Sequence, residues 1–200
     1  MPRTKEAFDS MRQSTRSKIE TAALALFARK GLSVKVGEIA EASGVSQGLM
    51  YSHYPSKDAL IAELIKQAVT ISSKEVLRCA NSKESAAVKI KEITNMMCDM
   101  LTKAPVGIDY FMFMAQVGMN GSVIKEAAAY SEDFPNPAQT LAEVIAQGQS
   151  EGSVVSGDPL QLSIVYWAAI QGLCSYAVTG VPVSPDPISL YRILIKENCL

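Results

Sequence analysis

The stretch that decides the reading is Ile39-Ala40-Glu41-Ala42-Ser43-Gly44-Val45-Ser46-Gln47-Gly48-Leu49-Met50-Tyr51-Ser52-His53-Tyr54-Pro55-Ser56-Lys57-Asp58. Val36, Ile39 and Ala40 share one face of a short helix. Gly44 breaks it, because a residue without Cβ enters a left-handed turn without strain. Ser46 is placed to cap a third short helix over residues 47–54, Pro55 to stop it and Ser56 to cap the next. Val45 and Met50 would seat this helix in a core, leaving Gln47, Gly48, Leu49, Tyr51, Ser52 and His53 on or near its outer face. Those residues offer an amide to a base edge, an apolar contact to a thymine methyl, and hydroxyl or imidazole groups to phosphates. Short helices joined by a glycine turn, the last with a polar outer face, outline a helix-turn-helix.

Working outward, Ile19, Ala22, Ala23, Leu26 and Phe27 form one amphipathic stripe, ended by Gly31 after Arg29 and Lys30. Leu60, Ile61, Leu64, Ile65 and Ala68 form the stripe of a fourth helix. Residues 81–85 read as a break, followed by an apolar face of Val88, Ile90, Ile93, Met97, Met100 and Leu101. Pro105 opens a further helix whose residues 110–114 are apolar all round and so are expected to be buried. Residues 118–123 and 131–137 read as loops, 137–149 and 158–179 as long helices, and 188–196 as a short C-terminal helix. Strand-type alternation is essentially absent. The expected fold is all-α. Residues 1–56 would form an N-terminal arm and a three-helix helix-turn-helix DNA-binding domain, and 57–200 a larger helical bundle.

Charge supports this division. The 200-residue chain is 48% hydrophobic and 20% charged, a globular composition. Its net charge of −1 hides an asymmetry: residues 1–66 hold ten Lys and Arg against seven Asp and Glu, the remainder nine against thirteen. A basic head suits phosphates. Residues 1–18 carry no apolar signal-peptide core, and Cys79, Cys98, Cys174 and Cys199 match no metal or redox spacing, so reduced thiols in a cytoplasmic protein are expected. His53 is the single histidine, which removes most histidine metal sites and hydrolase triads. No catalytic residue, metal or cofactor is expected. Residues 159–185 are uncharged, and 162–181 have the length of a membrane span. Ser163, Gln171, Ser175 and Thr179 interrupt them without Lys or Arg flanks, so a buried soluble helix is expected, with no membrane.

The pattern Ile39-Ala40-x3-Gly44-Val45-Ser46-x-Gly48-x-Met50-Tyr51-x-His53-Tyr54-x-Ser56-Lys57-Asp58-x-Leu60 resembles the DNA-binding signature of the TetR family of bacterial regulators. Ala22-Ala23-x2-Leu26-Phe27-x3-Gly31 is similar to that family's first helix, so the resemblance spans about residues 16–65. It implies that Gln47, Gly48 and Leu49 read bases and that Tyr51, His53 and Lys57 meet phosphates. Ser52 lies beside them. The basic arm of Arg3, Lys5, Arg12, Arg16 and Lys18 adds attraction, with Arg16 assigned to DNA. Two departures stand out. Leu49 takes a place often held by Thr, Ser or Ala. The segment from Gly31 to Ile39 is about one residue shorter than common and lacks the usual Thr/Ser pair, leaving Ser33 as the expected cap.

For the body, the resemblance implies small-molecule binding and dimerisation through the last two long helices. Met97, Met100, Tyr110, Phe111, Met114, Tyr166 and Trp167 are the pocket candidates, an apolar, adaptable lining suited to an apolar or aromatic effector. Asp109, Gln116 and Gln171 are the polar residues embedded there. The expected protein is a homodimeric transcriptional regulator, a repressor on a palindromic double-stranded DNA operator, released by that effector. The alternatives are a DNA-binding regulator or architectural protein whose body only dimerises or recruits a partner, and an enzyme acting on small apolar molecules. The last lacks an acid/base or nucleophile constellation.

Overall fold

The computed structural model describes residues 5–103, 105–119 and 136–199. In chain order the helices are α1 (Lys5–Lys30), α2 (Val36–Ser43), α3 (Gln47–His53), α4 (Lys57–Ala80), α5 (Ala86–Lys103), α6 (Pro105–Met119), α7 (Pro137–Ser150), α8 (Pro159–Val178) and α9 (Pro187–Tyr191), before a 3-10 turn at Glu197–Cys199. The fold is all-α, as the periodicity predicts. Arg3 and most of both predicted loops lie outside the described residues. Of those loops, Gly118 and Met119 complete α6, while Asn136 caps α7 by accepting from the Ala138 amide at 2.9 Å.

The C-terminal helix is shorter than the predicted 188–196. Backbone bonds from Val155 to Leu194 (2.9 Å) and from Lys196 to Ser153 (3.0 Å) draw the chain after α9 into an antiparallel bridge, Val154 with Ile195. Gly148 lets this bridge and α5 approach α7, since a Cβ there would overlap Val154 and Ala86.

Two cores share the molecule. The first joins Ile19, Ala23 and Phe27 of α1, Ile39 and Ala40 of α2, Met50 of α3, and the predicted α4 stripe from Leu60 to Ala68. The second gathers α5, α7, α8 and α9 around Ile90, Ile93, Ile145 and Tyr166. α4 serves both, because Val76 and Cys79 belong to the second core. The boundary expected at 56/57 therefore falls at the head of a helix that both cores share. α6 is shared too: Phe113 stacks on Phe27 at 5.9 Å between ring centres, while Ile108 and Met112 face the body.

Two predicted faces differ. On α5 the buried face is Ala86, Lys89, Ile90, Ile93, Thr94, Met97, Cys98 and Leu101, whereas Val88 is exposed. Lys89 takes an inward place because its Nζ donates to Gln147 Oε1 at 2.9 Å. Along residues 110–114, Met112 and Phe113 are buried but Tyr110, Phe111 and Met114 only half so, because α6 lies along the seam between the two cores. No described helix is long and apolar enough to cross a membrane.

Candidate nucleic-acid interface

The turn between α2 and α3 is made by Gly44 at φ 69°, and Val45 returns its amide to Ala40 O at 3.0 Å. The expected Ser33 cap is not used. α2 starts at Val36, and Glu38 does the capping: one carboxylate oxygen accepts from the Lys35 amide, the other from Lys30 Nζ, each at 3.0 Å. The backbone bond first, then Lys30, holds the Glu38 carboxyl below its ordinary range.

α3 is capped as predicted, Ser46 Oγ accepting from the Leu49 amide at 3.1 Å. It is short, and tertiary packing rather than length must hold it. Met50 is its buried residue. Gln47, Gly48, Leu49 (43% exposed), Tyr51 (48%) and Ser52 face solvent, and His53 is half-buried. Burial first, then Arg12 and Arg16, lowers the His53 pKa, so the imidazole is neutral at pH 7.

The other two residues expected on DNA have partners within the protein. Arg16 Nε lies 2.9 Å from Glu20 Oε1 and Nη2 3.2 Å from Glu63 Oε1, with the guanidinium 5.2 Å from the Tyr54 ring centre. The buried Tyr54 hydroxyl also donates to Glu20. Arg16 thus belongs to a polar cluster at the C-terminal end of α3. Lys57 Nζ donates to Leu32 O at 2.8 Å and Val34 O at 3.3 Å, fastening α4 to the α1–α2 loop and leaving one ammonium hydrogen for another acceptor. Glu20 and Glu63 were not among the sequence candidates; the i,i+4 spacing of Arg16 and Glu20 was the signal available. From Lys5 onward the basic arm is helical, as part of α1.

The seven pocket candidates divide. Tyr110 and Met114 pack on the first core, and the Tyr110 hydroxyl donates to Gln67 Oε1 at 2.7 Å. Met97, Met100, Phe111, Tyr166 and Trp167 join the second core. Trp167 lies 6.3 Å from the Phe111 ring and edge-on to Tyr166 at 5.5 Å. The Tyr166 hydroxyl shares a hydrogen bond with Thr94 at 2.9 Å, whereas the buried Trp167 indole N–H has no acceptor among the described residues. Of the embedded polar residues, Asp109 faces Arg29 Nη1 at 3.4 Å, linking α6 to α1. Cys79, Cys98 and Cys174 are buried free thiols raised in pKa by that burial, Cys174 to about 12.

A glycine turn leading into a capped helix that exposes the residues expected to read bases has the geometry of a helix-turn-helix. Residues 19–64 match the sequence model of the family described as bacterial regulatory proteins, tetR family. The likeness to the TetR family therefore covers this N-terminal segment, about a quarter of the chain. The HTH-type transcriptional regulator AcrR of Shigella flexneri is 43% identical over 53 residues, 26% of this chain, and the match spans only about a quarter (25%) of that relative's length. Across the whole chain the fold is similar to the MbdR regulator from Azoarcus sp. CIB, with TM-score 0.72, 22% identity and coverage of 90% of this chain and 96% of that one. It is also similar to a transcriptional-regulator structure from Saccharomonospora viridis in complex with choline, with TM-score 0.65, 20% identity and coverage of 92% and 100%.

Proposed function

We propose that the protein is a transcriptional repressor that binds a palindromic operator as a homodimer and leaves it when a small, mainly apolar effector occupies residues 57–200. The observation that carries this reading is α3, whose Gln47, Gly48 and Leu49 stand exposed at a capped N-terminus while Met50 anchors it. Gln47 and Leu49 read base edges. Tyr51, Ser52, His53 and the remaining Lys57 hydrogen meet phosphates, and Arg16 positions the helix through Glu20 and Tyr54.

Dimerisation is supported by α8, which has no charged residue and exposes Ile164, Val165, Ala168 and Tyr176 along one side. A stripe this apolar is better buried against a second copy than left in water. The large apolar residues of α7, Leu141, Val144 and Ile145, are buried inside the protomer, so α8 carries most of the seam. The effector site is the cluster of Met97, Met100, Phe111, Tyr166 and Trp167, and the similarity to a protein solved with choline supports a small-molecule role for the body. Repacking at Phe111 would reach α1 through its neighbours on α6, Phe113 against Phe27 and Asp109 against Arg29, and so bias the spacing of the two recognition helices.

The test is selection from random duplexes followed by binding across salt. Palindromic sites with half-sites about one helical turn apart, or a multiple, and a steep fall of affinity with salt are expected. Non-palindromic selection or salt-independent binding overturns the reading. Thermal-shift screening with apolar compounds tests the effector: compounds that raise Tm should also release DNA and alter Trp167 fluorescence.

A further inference from the structure

α8 carries two polar side chains without partners on the flank that meets α6. Phe111 of α6 stacks on Trp167 of α8 at 6.3 Å between ring centres, and two turns further along α8 the Ser175 hydroxyl reaches the Met112 sulfur at 3.7 Å. The Trp167 indole nitrogen is buried, and its N–H has no acceptor among the described residues. The hydroxyl of its neighbour Tyr166 is satisfied by Thr94, so the orphan is particular to Trp167. An indole only donates, and a buried donor left unpaired costs stability. Gln171 lies one helical turn from Trp167, between the two contacts with α6. It is half-buried, and its side-chain amide forms no hydrogen bond among the described residues. Charge is nearly absent here: α8 has none, and Asp109, the one charged residue of α6, faces Arg29. The wall can also yield. Gly107, one turn before Phe111, lets the Met100 side chain lie where a Cβ would overlap it, and that flexible thioether chain can rotate aside.

An aromatic ring bearing a hydrogen-bond acceptor fits these groups, the ring against Phe111 and Trp167 and the acceptor on the stranded N–H. A formal charge does not fit, because a carboxylate would find no cation there and an ammonium no free anion. We propose that the effector is an uncharged aromatic carbonyl compound whose oxygen accepts from Trp167 Nε1–H, with the Gln171 amide meeting a polar substituent beside it. This rests on the reading of residues 57–200 as an effector-binding body, and narrows its mainly apolar effector to one that carries a required acceptor. Because the indole is already out of water, the protein gives up no hydrogen bond to water on binding. Only the ligand oxygen does, so the carbonyl adds affinity as well as orientation.

The experiment uses the full chain with isotope-labelled tryptophan and three probes: acetophenone, α-methylstyrene and benzoate. α-Methylstyrene has the shape of acetophenone with a methylene in place of the carbonyl oxygen. Trp167 is the single tryptophan, so its indole N–H gives one resonance. By calorimetry acetophenone should bind the wild type about 10-fold more tightly than α-methylstyrene. It should also move the indole proton downfield of its position with α-methylstyrene, which reproduces the ring current without the acceptor. Benzoate should bind more weakly than acetophenone. In Trp167→Phe, which keeps an aromatic ring without the donor, the two neutral compounds should bind about equally. The wild-type comparison decides the matter even where that variant fails to fold. Equal wild-type binding with no relative indole shift, tighter binding of benzoate, or a carbonyl preference kept in Trp167→Phe overturns the donor role and leaves the effector reading intact. No binding by any of the three, with other apolar compounds raising Tm, overturns this inference alone. No binding by the three and no compound that raises Tm overturns both.

Discussion

α3 and α8 both hold apolar side chains in water, in opposite electrical surroundings. α3 exposes Leu49 and Tyr51 with Arg12, Arg16, His53 and Lys57 around it. α8 exposes Ile164, Val165 and Tyr176 along twenty residues that carry no charge. Exposed apolar surface therefore does not by itself specify a partner; the charge beside it does. Cations around a short apolar patch suit a polyanion with apolar faces, whereas an uncharged stripe repels any such ligand by desolvation and suits another apolar stripe.

The most damaging way to break this contrast is to put a charge on the α8 stripe. Gly172 lies on that side, and a Cβ added there meets nothing within 4 Å, so Gly172→Arg leaves the protomer core alone. Light scattering at micromolar concentration should then give the mass of one chain. Operator affinity should fall by more than about 100-fold, because each half-site is bound without the second. A charge at Ala169, which packs against the body core, should instead lower Tm. A stable dimer in Gly172→Arg would remove α8 from the interface.

The two helices also differ in what holds them. α8 rests on a continuous apolar core, and α3 on Met50 backed by the polar cluster of Arg16, Glu20, Glu63 and Tyr54. Glu20→Ala should consequently cost about 2 kcal/mol in urea unfolding, because it strands the buried Tyr54 hydroxyl and one side of Arg16. DNA binding should fall with it, while the dimer mass stays unchanged. An unfolding free energy equal to wild type would show that the cluster does not support α3.

This contrast also explains what was legible in the sequence. Ser46, Gly44, Met50 and the Leu60–Ala68 stripe were readable because caps, turns and helical periods are local physics. The Ser33 cap failed since Glu38, also local, offered a stronger acceptor, a charged carboxylate. The pocket candidates scattered for a different reason. Tyr110 and Phe111 are neighbours in sequence, yet they turn to separate cores on opposite sides of α6, and only the packing of distant helices decides which. Lys57 was readable as a cation but not as an occupied one, because the Leu32 carbonyl is remote in sequence; for Arg16 the Glu20 half of its pairing was local and only Glu63 was remote.

The smallest expected effect concerns His53, the single histidine of the chain. Burial, Arg12 and Arg16 lower its pKa in the folded protein, whereas the unfolded chain titrates near the ordinary value of about 6.5. Above that pH both states hold a neutral imidazole and His53 contributes nothing to the pH dependence. As pH falls below about 6.5 the unfolded chain takes up a proton that the folded chain resists, so the stability of the free protein declines. A phosphate beside His53 reverses the sign for binding, because it favours the imidazolium and raises the pKa in the complex. Between pH 7.5 and 6.0, DNA affinity should therefore rise by a few-fold while free-protein Tm drifts down, and His53→Gln should flatten both trends. Flat affinity in the wild type would place His53 away from phosphate. The α8 stripe has no Asp, Glu, Lys, Arg or His to titrate, so the dimer mass should stay constant across the same range. A pH response at α3 with none at α8 would be the finest expression of the difference in charge between these two exposed faces.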